Sequence, residues 1–200
     1  LNFMRTDRVS NEALLEAGLA LMQQAGKRLE KIPTNSRAMK FRLPSGKTVR
    51  VRTCNDHVLV VLADRADKGA DLNIEGTDYL LIVMPETPRT EGPVIGYLVP
   101  TTIAVDAVRQ THAEWLASNP KTKGANRTWN IWFDGGSTKA GGFAKRWAEY
   151  RLAGSATTHP VAVPVTRSGN LGEVIAAARQ QIADAAGVPI DAVKITVHLD

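Results

Sequence analysis

Cysteine is almost missing from this chain: among 200 residues only Cys54 is present. A single thiol excludes an internal disulfide framework and a cysteine-rich zinc site, and it suits a reducing compartment. The four histidines, His57, His112, His159 and His198, show no HxxxH or other ligand spacing, so no metal is expected on them. Long apolar runs are missing too. The longest, residues 79–85, has the length of a strand and falls far short of the roughly 20 residues that span a bilayer. The first dozen residues contain no apolar core of a signal peptide, and no repeat or low-complexity segment is present. With 44% hydrophobic and 22% charged residues the chain has enough apolar material for a real core. These absences lead to the expectation of a cytoplasmic protein without a membrane partner.

Charge is present but unevenly placed. The net charge of +5 is modest. Residues 37–52 nevertheless carry six basic groups (Arg37, Lys40, Arg42, Lys47, Arg50, Arg52) and no acid. Residues 54–91 reverse the balance with eight acids, and residues 109–151 reverse it again with eight basic groups against three acids. Two basic segments brought together by a fold would form a surface for phosphates, whereas apart they are ordinary solvated faces.

Periodicity gives the elements. Ser10 caps a helix in which Ala13, Leu14, Ala17, Leu21 and Ala25 recur at helical spacing, with Leu29 and Ile32 extending the stripe. Residues 40–43 and 48–53 alternate around a Pro-Ser-Gly-Lys turn, which predicts a hairpin with its basic residues off the core. Residues 57–63 and 94–100 read as further strands. Residues 79–84 are apolar on both faces and belong in the centre of a sheet. The polar stretch 64–76 reads as a long connection with room for a short strand of its own, its acids taken as a solvated loop.

A second helix is expected from Thr102 or Asp106 to about residue 117, with Val105, Val108 and Trp115 inward. Strand 128–134 puts Trp129, Ile131 and Phe133 on one side and Trp132 on the other, exposed; Trp129 and Trp147 read as core. One helix is expected over residues 143–152. Residues 154–159 read as a linker to a small β-α-β unit: a strand at 161–165, a helix capped by Asn170 and Glu173, and a strand at 193–199. The expected fold is therefore an α/β domain over residues 1–153, a mixed β-sheet flanked by helices, and a C-terminal extension over 154–200.

Motifs for catalysis are weak. Cys54 and His57 match no nucleophile pattern, and Cys54 reads as a small buried residue at a strand end. The pairs Gly135-Gly136 and Gly141-Gly142 fit neither a P-loop nor GxGxxG. The acids of residues 64–78 miss the spacing of a calcium loop. No catalytic residue, metal or cofactor is assigned.

The order of elements over residues 10–152 resembles the PD-(D/E)XK, or restriction-endonuclease-like, superfamily. Thr48-Val-Arg-Val-Arg-Thr-Cys is similar to its motif strand, and Asp78-Tyr-Leu-Leu-Ile-Val with Ile95-Gly-Tyr-Leu-Val-Pro is similar to the strand pair that follows. The resemblance places Arg50 where the family has its metal-binding Glu or Gln, and Arg52 where it has its catalytic Lys. Arginine repels the metal that two-metal hydrolysis requires. The resemblance thus implies a scaffold that holds nucleic acid, DNA ahead of RNA, without cutting it. The residues assigned to binding are Lys40, Arg42, Lys47, Arg50 and Arg52 on the hairpin, Lys121, Lys123 and Arg127 on the second basic loop, and Trp132 for stacking on bases. Two other readings stay open. One is an active Mg²⁺-dependent nuclease whose carboxylates have migrated to Glu12 or Glu16 with Asp56, Asp64 or Asp78. The other is a homodimeric protein-interaction module.

Overall fold

The structure is a computed structural model that describes residues 8–34, 39–67, 69–119, 126–135, 141–158 and, near the C-terminus, 175–176, 178–180, 182–183 and 189–195. The chain divides into two compact units, Leu1–Pro160 and Val161–Asp200.

In the first unit a mixed five-stranded sheet has α1 on one face. On the other face lie α2 and a separate two-stranded ribbon. The sheet order is β1(Glu30–Lys31), β2(Lys40–Arg42), β3(Thr48–Thr53), β5(Tyr79–Pro85), β6(Val94–Pro100). All neighbours are antiparallel except β3 and β5, which run parallel. β4(Val58–Leu62) leaves the sheet and pairs with β7(Thr128–Trp132) to make the ribbon. β5 lies between β3 and β6 because both of its faces are apolar. Leu81 and Val83 meet α1, and Leu80, Ile82 and Met84 meet the ribbon and α2. β3 alternates instead, with Val49 and Val51 toward α1 and Arg50 and Arg52 on the opposite face.

α1(Asn11–Gln24) starts at Ser10, whose hydroxyl accepts from the Ala13 N–H at 3.0 Å. It packs closely enough that Gly18 leaves no room for a Cβ, which would sit 2.4 Å from Val83 Cγ2. The helix does not continue through Leu29 and Ile32. Gly26 turns the chain at φ 70°, and Glu30–Lys31 becomes the edge strand β1. α2(Thr101–Ser118) follows β6 without a loop and buries Thr101, Ala104, Val108, Thr111 and His112. Trp115, expected inward, is 36% exposed.

The segment 64–76 is not simply solvated. Ala70, Leu72 and Ile74 are buried in the core beneath the ribbon, and Ala63 bridges to Leu72. In place of one helix over 143–152 there are α3(Phe143–Arg146) and a 3-10 turn at Ala148–Tyr150. Between them Trp147 leaves helical geometry and sets its ring edge-on against Phe133 and Phe143. The expected linker is stitched to the sheet: Val94 N–H donates to the Ala156 carbonyl, and Gly92 N–H to the Thr158 hydroxyl. In the second unit, residues 175–176, 178–180 and 182–183 are helical, and Arg179 donates to the carbonyls of Val193 and Ile190. The strand expected at 161–165 and the cap residues Asn170 and Glu173 lie outside the described residues. Residues 193–195 are not strand, and the remainder of that expected strand is also outside.

Candidate nucleic-acid interface

The hairpin register decides which cations meet. Lys40 lies opposite Arg50, and Arg42 opposite Thr48, while Phe41 between them packs toward α1. Lys40, Arg42, Arg50 and Arg52 therefore share the face of β2 and β3 away from α1. Among the described residues, none of the four forms an ion pair with a carboxylate.

Arg50 and Arg52 have a second task. The backbone of β4 points alternately toward β7 and away from it, because the His57 carbonyl accepts from Phe133 N–H. The groups of Val60 and Leu62 thus face the free edge beside β3. Arg52 donates to the Val60 carbonyl at 2.6 Å. Asn73 closes the next position: its N–H donates to the Leu62 carbonyl, and its Oδ1 accepts from Leu62 N–H. Arg50 donates in turn to the Asn73 carbonyl. Two arginines of the basic face thus cap the edge of the ribbon and hold it against the sheet. A guanidinium has five N–H donors, so each retains capacity for a phosphate. Burial lowers the pKa of both, and for Arg50 the charge of Arg52 adds to the effect. Beside them a concavity of about 450 Å³ has Asn11, Thr53 and Asn73 on its walls.

The other expected binding residues are placed differently. Lys47 lies at the far end of β3, where Asp78 accepts from Lys47 Nζ at 2.9 Å and from the N–H and hydroxyl of Thr48 at 2.8 and 2.9 Å. That carboxylate pins the first residues of β3 and β5, so Lys47 is committed to register. The Thr48 N–H, then Lys47, then the Thr48 hydroxyl pull the Asp78 pKa down from 3.8 to about 2. A depressed carboxylate pKa contributes stability above about pH 4 that is lost as pH falls through about 2. Urea denaturation from pH 5 to pH 2 should show this loss, and Asp78→Asn should flatten that part of the profile. An unchanged profile in the variant would refute the pin.

Arg127 donates to the Asp64 carbonyl at 2.9 Å at the end of the ribbon, and Lys121 and Lys123 lie outside the described residues. Trp132 is 44% exposed on the outer ribbon face, as its alternation implies. Asn130 shares that face, opposite Val60, and Trp132 lies opposite Val58. A chain of direct neighbours thus runs from Lys40 through Arg50 and Arg52 to Val60, Asn130 and Trp132.

The acids weighed as migrated carboxylates are dispersed. Asp56 pairs with Arg8 and Arg89, Asp64 with Arg65, and Asp78 with Lys47. Among the described residues no cluster of three His, Cys, Asp or Glu side chains could hold a metal. Cys54 is buried, which pushes its thiol up to about 12 and makes a thiolate nucleophile inaccessible. His57, in a left-handed turn at φ 53°, places Nε2 2.6 Å from the Pro85 carbonyl and Nδ1 2.9 Å from Asp134. It ties the β3–β4 turn to β5 and β7 and does not address Cys54.

Three residues that local sequence reading missed adjoin this interface. His112 and Trp115 of α2 and Asn130 of β7 line a cleft with Trp132. The available signal was the alternation of β7, which puts Asn130 on the Trp132 side. The chain matches no family model, no curated protein and no solved structure. No helix among the described residues is long and apolar enough to cross a membrane.

Proposed function

We propose that this protein binds nucleic acid, DNA ahead of RNA, through the face of β2 and β3 that carries Lys40, Arg42, Arg50 and Arg52, and that it does not cleave it. One observation carries this function: four cations share a face without a carboxylate partner among the described residues. Unneutralised cations spaced along two strands suit a run of phosphates, which fix register without reading sequence. Arg50 and Arg52 are held in place by carbonyls, so little side-chain entropy is lost when they engage a ligand. The restriction-endonuclease-like resemblance supports the same face, since its motif strand corresponds to β3. By that resemblance, metal-dependent hydrolysis would need a metal-binding Glu or Gln where Arg50 stands and a catalytic Lys where Arg52 stands.

The test is incubation of the full chain with labelled DNA and RNA, with and without Mg²⁺ or Mn²⁺, followed by both a binding and a cleavage assay. Binding with intact substrate is expected. Cleavage that requires the metal would replace this function with the nuclease alternative, and no binding at low salt would remove it.

A further inference from the structure

We propose that the cleft between α2 and the free edge of β7 is a stacking slot for one unpaired nucleobase, so that the protein prefers single-stranded nucleic acid to duplex. The slot rests on the nucleic-acid function above and adds to it the form of nucleic acid that is bound.

The cleft holds about 200 Å³ and is walled by aromatic rings. Trp115, His112 and Trp129 form a column, with ring planes at 19° and 13° and centroids 5.8 and 4.1 Å apart. Its inner plate, Trp129, is buried in the core, and its outer plate, Trp115, lines the cleft and is partly exposed. A column anchored at one end gives the outer ring a fixed plane. Trp132, from β7, lines the same cleft. Rings so placed suit a flat ligand, and base–aromatic stacking tolerates any base because every base has a π-face.

The slot also has a polar wall. Phe133 N–H and the Arg127 carbonyl bond to β4, so alternation turns the backbone groups of Asn130 and Trp132 to the free edge of β7. The Asn130 side-chain oxygen is buried without a hydrogen-bond partner among the described residues. An asparagine amide has both donor and acceptor capacity, and a base edge presents both. The duplex hides base faces within its stack, whereas an unpaired base offers them.

Charge complementarity identifies the occupant. Arg52 donates to the Val60 carbonyl, and Val60 lies opposite Asn130, so the cations of β2 and β3, which have no carboxylate partner among the described residues, adjoin the ribbon that forms the slot. A strand with its phosphates along those cations has an anionic backbone and detachable flat bases, and this surface has a place for each.

The experiment is fluorescence anisotropy of the full chain with labelled DNA and RNA about 12 nucleotides long, single-stranded and as duplexes, at low salt. Single strands should bind about tenfold more tightly than duplexes, with quenching of tryptophan fluorescence. Trp115→Ala and Trp132→Ala should each weaken single-strand binding about tenfold and duplex binding less than twofold, and Trp132→Phe should restore most of the loss. Both positions are partly exposed, and circular dichroism checks that each variant folds. Equal affinity for single strand and duplex, with neither variant changing either, overturns the slot while leaving the basic face intact. No binding of any oligonucleotide overturns both.

Discussion

Replacing Lys40 and Arg42 together by glutamate will weaken nucleic-acid binding on the order of 100-fold at about 50 mM salt. The size follows from counterion release. Each phosphate neutralised on a single strand contributes roughly 0.7 of a salt exponent, worth about eightfold at 50 mM, so two contacts amount to about 65-fold. Reversing the charges adds repulsion to that loss. These two residues are the right ones to change because among the described residues neither is held in an ion pair. Arg50 and Arg52 would give an ambiguous result, since removing them also uncaps Val60 and Asn73 at the ribbon edge. The double variant should keep the parent's unfolding free energy within about 0.5 kcal/mol, measured by urea denaturation, as surface substitutions generally do. A loss of binding under about fivefold with the fold intact would move the phosphate site off this face.

Phe133→Ala will remove about 3–5 kcal/mol of stability, the largest single loss expected in the first unit. Phe133 is fully buried where three parts of the unit meet. Its ring centroid lies 5.0 Å from Tyr97 of β6 and 5.8 Å from Trp147, which it meets edge-on at 69°. Its N–H donates to the His57 carbonyl, and its own carbonyl accepts from Ala144 N–H in α3. Truncation leaves a ring-sized void between the ribbon, the sheet and α3, and three elements held by their own hydrogen bonds cannot collapse into it together. Against a total stability of about 5–15 kcal/mol this is a large fraction. Phe133→Leu, which preserves most of the volume, should cost about 1.5 kcal/mol or less. Urea unfolding followed by tryptophan fluorescence and circular dichroism measures both, and a loss below about 1 kcal/mol for the alanine variant would contradict this packing.

The sheet was legible in the sequence where one strand carries its own signature. Residues 79–84 are apolar without interruption, and β5 is indeed covered on both faces; 48–53 alternate, and β3 has one apolar and one basic face. What alternation could not show is what meets the basic face. Val58–Leu62 looks like one more strand of the same sheet, yet it pairs with Thr128–Trp132, far along the chain. That pairing turns Arg50 and Arg52 from exposed cations into edge caps. It also leaves β7 with a free edge facing α2, which is why Trp115 lines a cleft although its helical stripe reads as core. Residues 64–76 misled for a different reason: the acids made the stretch look solvated, while Ala70, Leu72 and Ile74 alternate at period two and are buried. Lys47 was grouped with the other cations by proximity in sequence. Asp78, thirty-one residues away, claims it for the parallel register of β3 and β5.

The salt dependence of oligonucleotide binding reports directly on a phosphate site at the β2–β3 face. If Lys40, Arg42, Arg50 and Arg52 hold the phosphates of a single strand, log K should fall linearly with log salt with a slope of about −2 to −3, and the Lys40→Glu, Arg42→Glu variant should flatten it by about 1.4. Binding that does not respond to salt, or that keeps its slope in the variant, would contradict a phosphate site on this face.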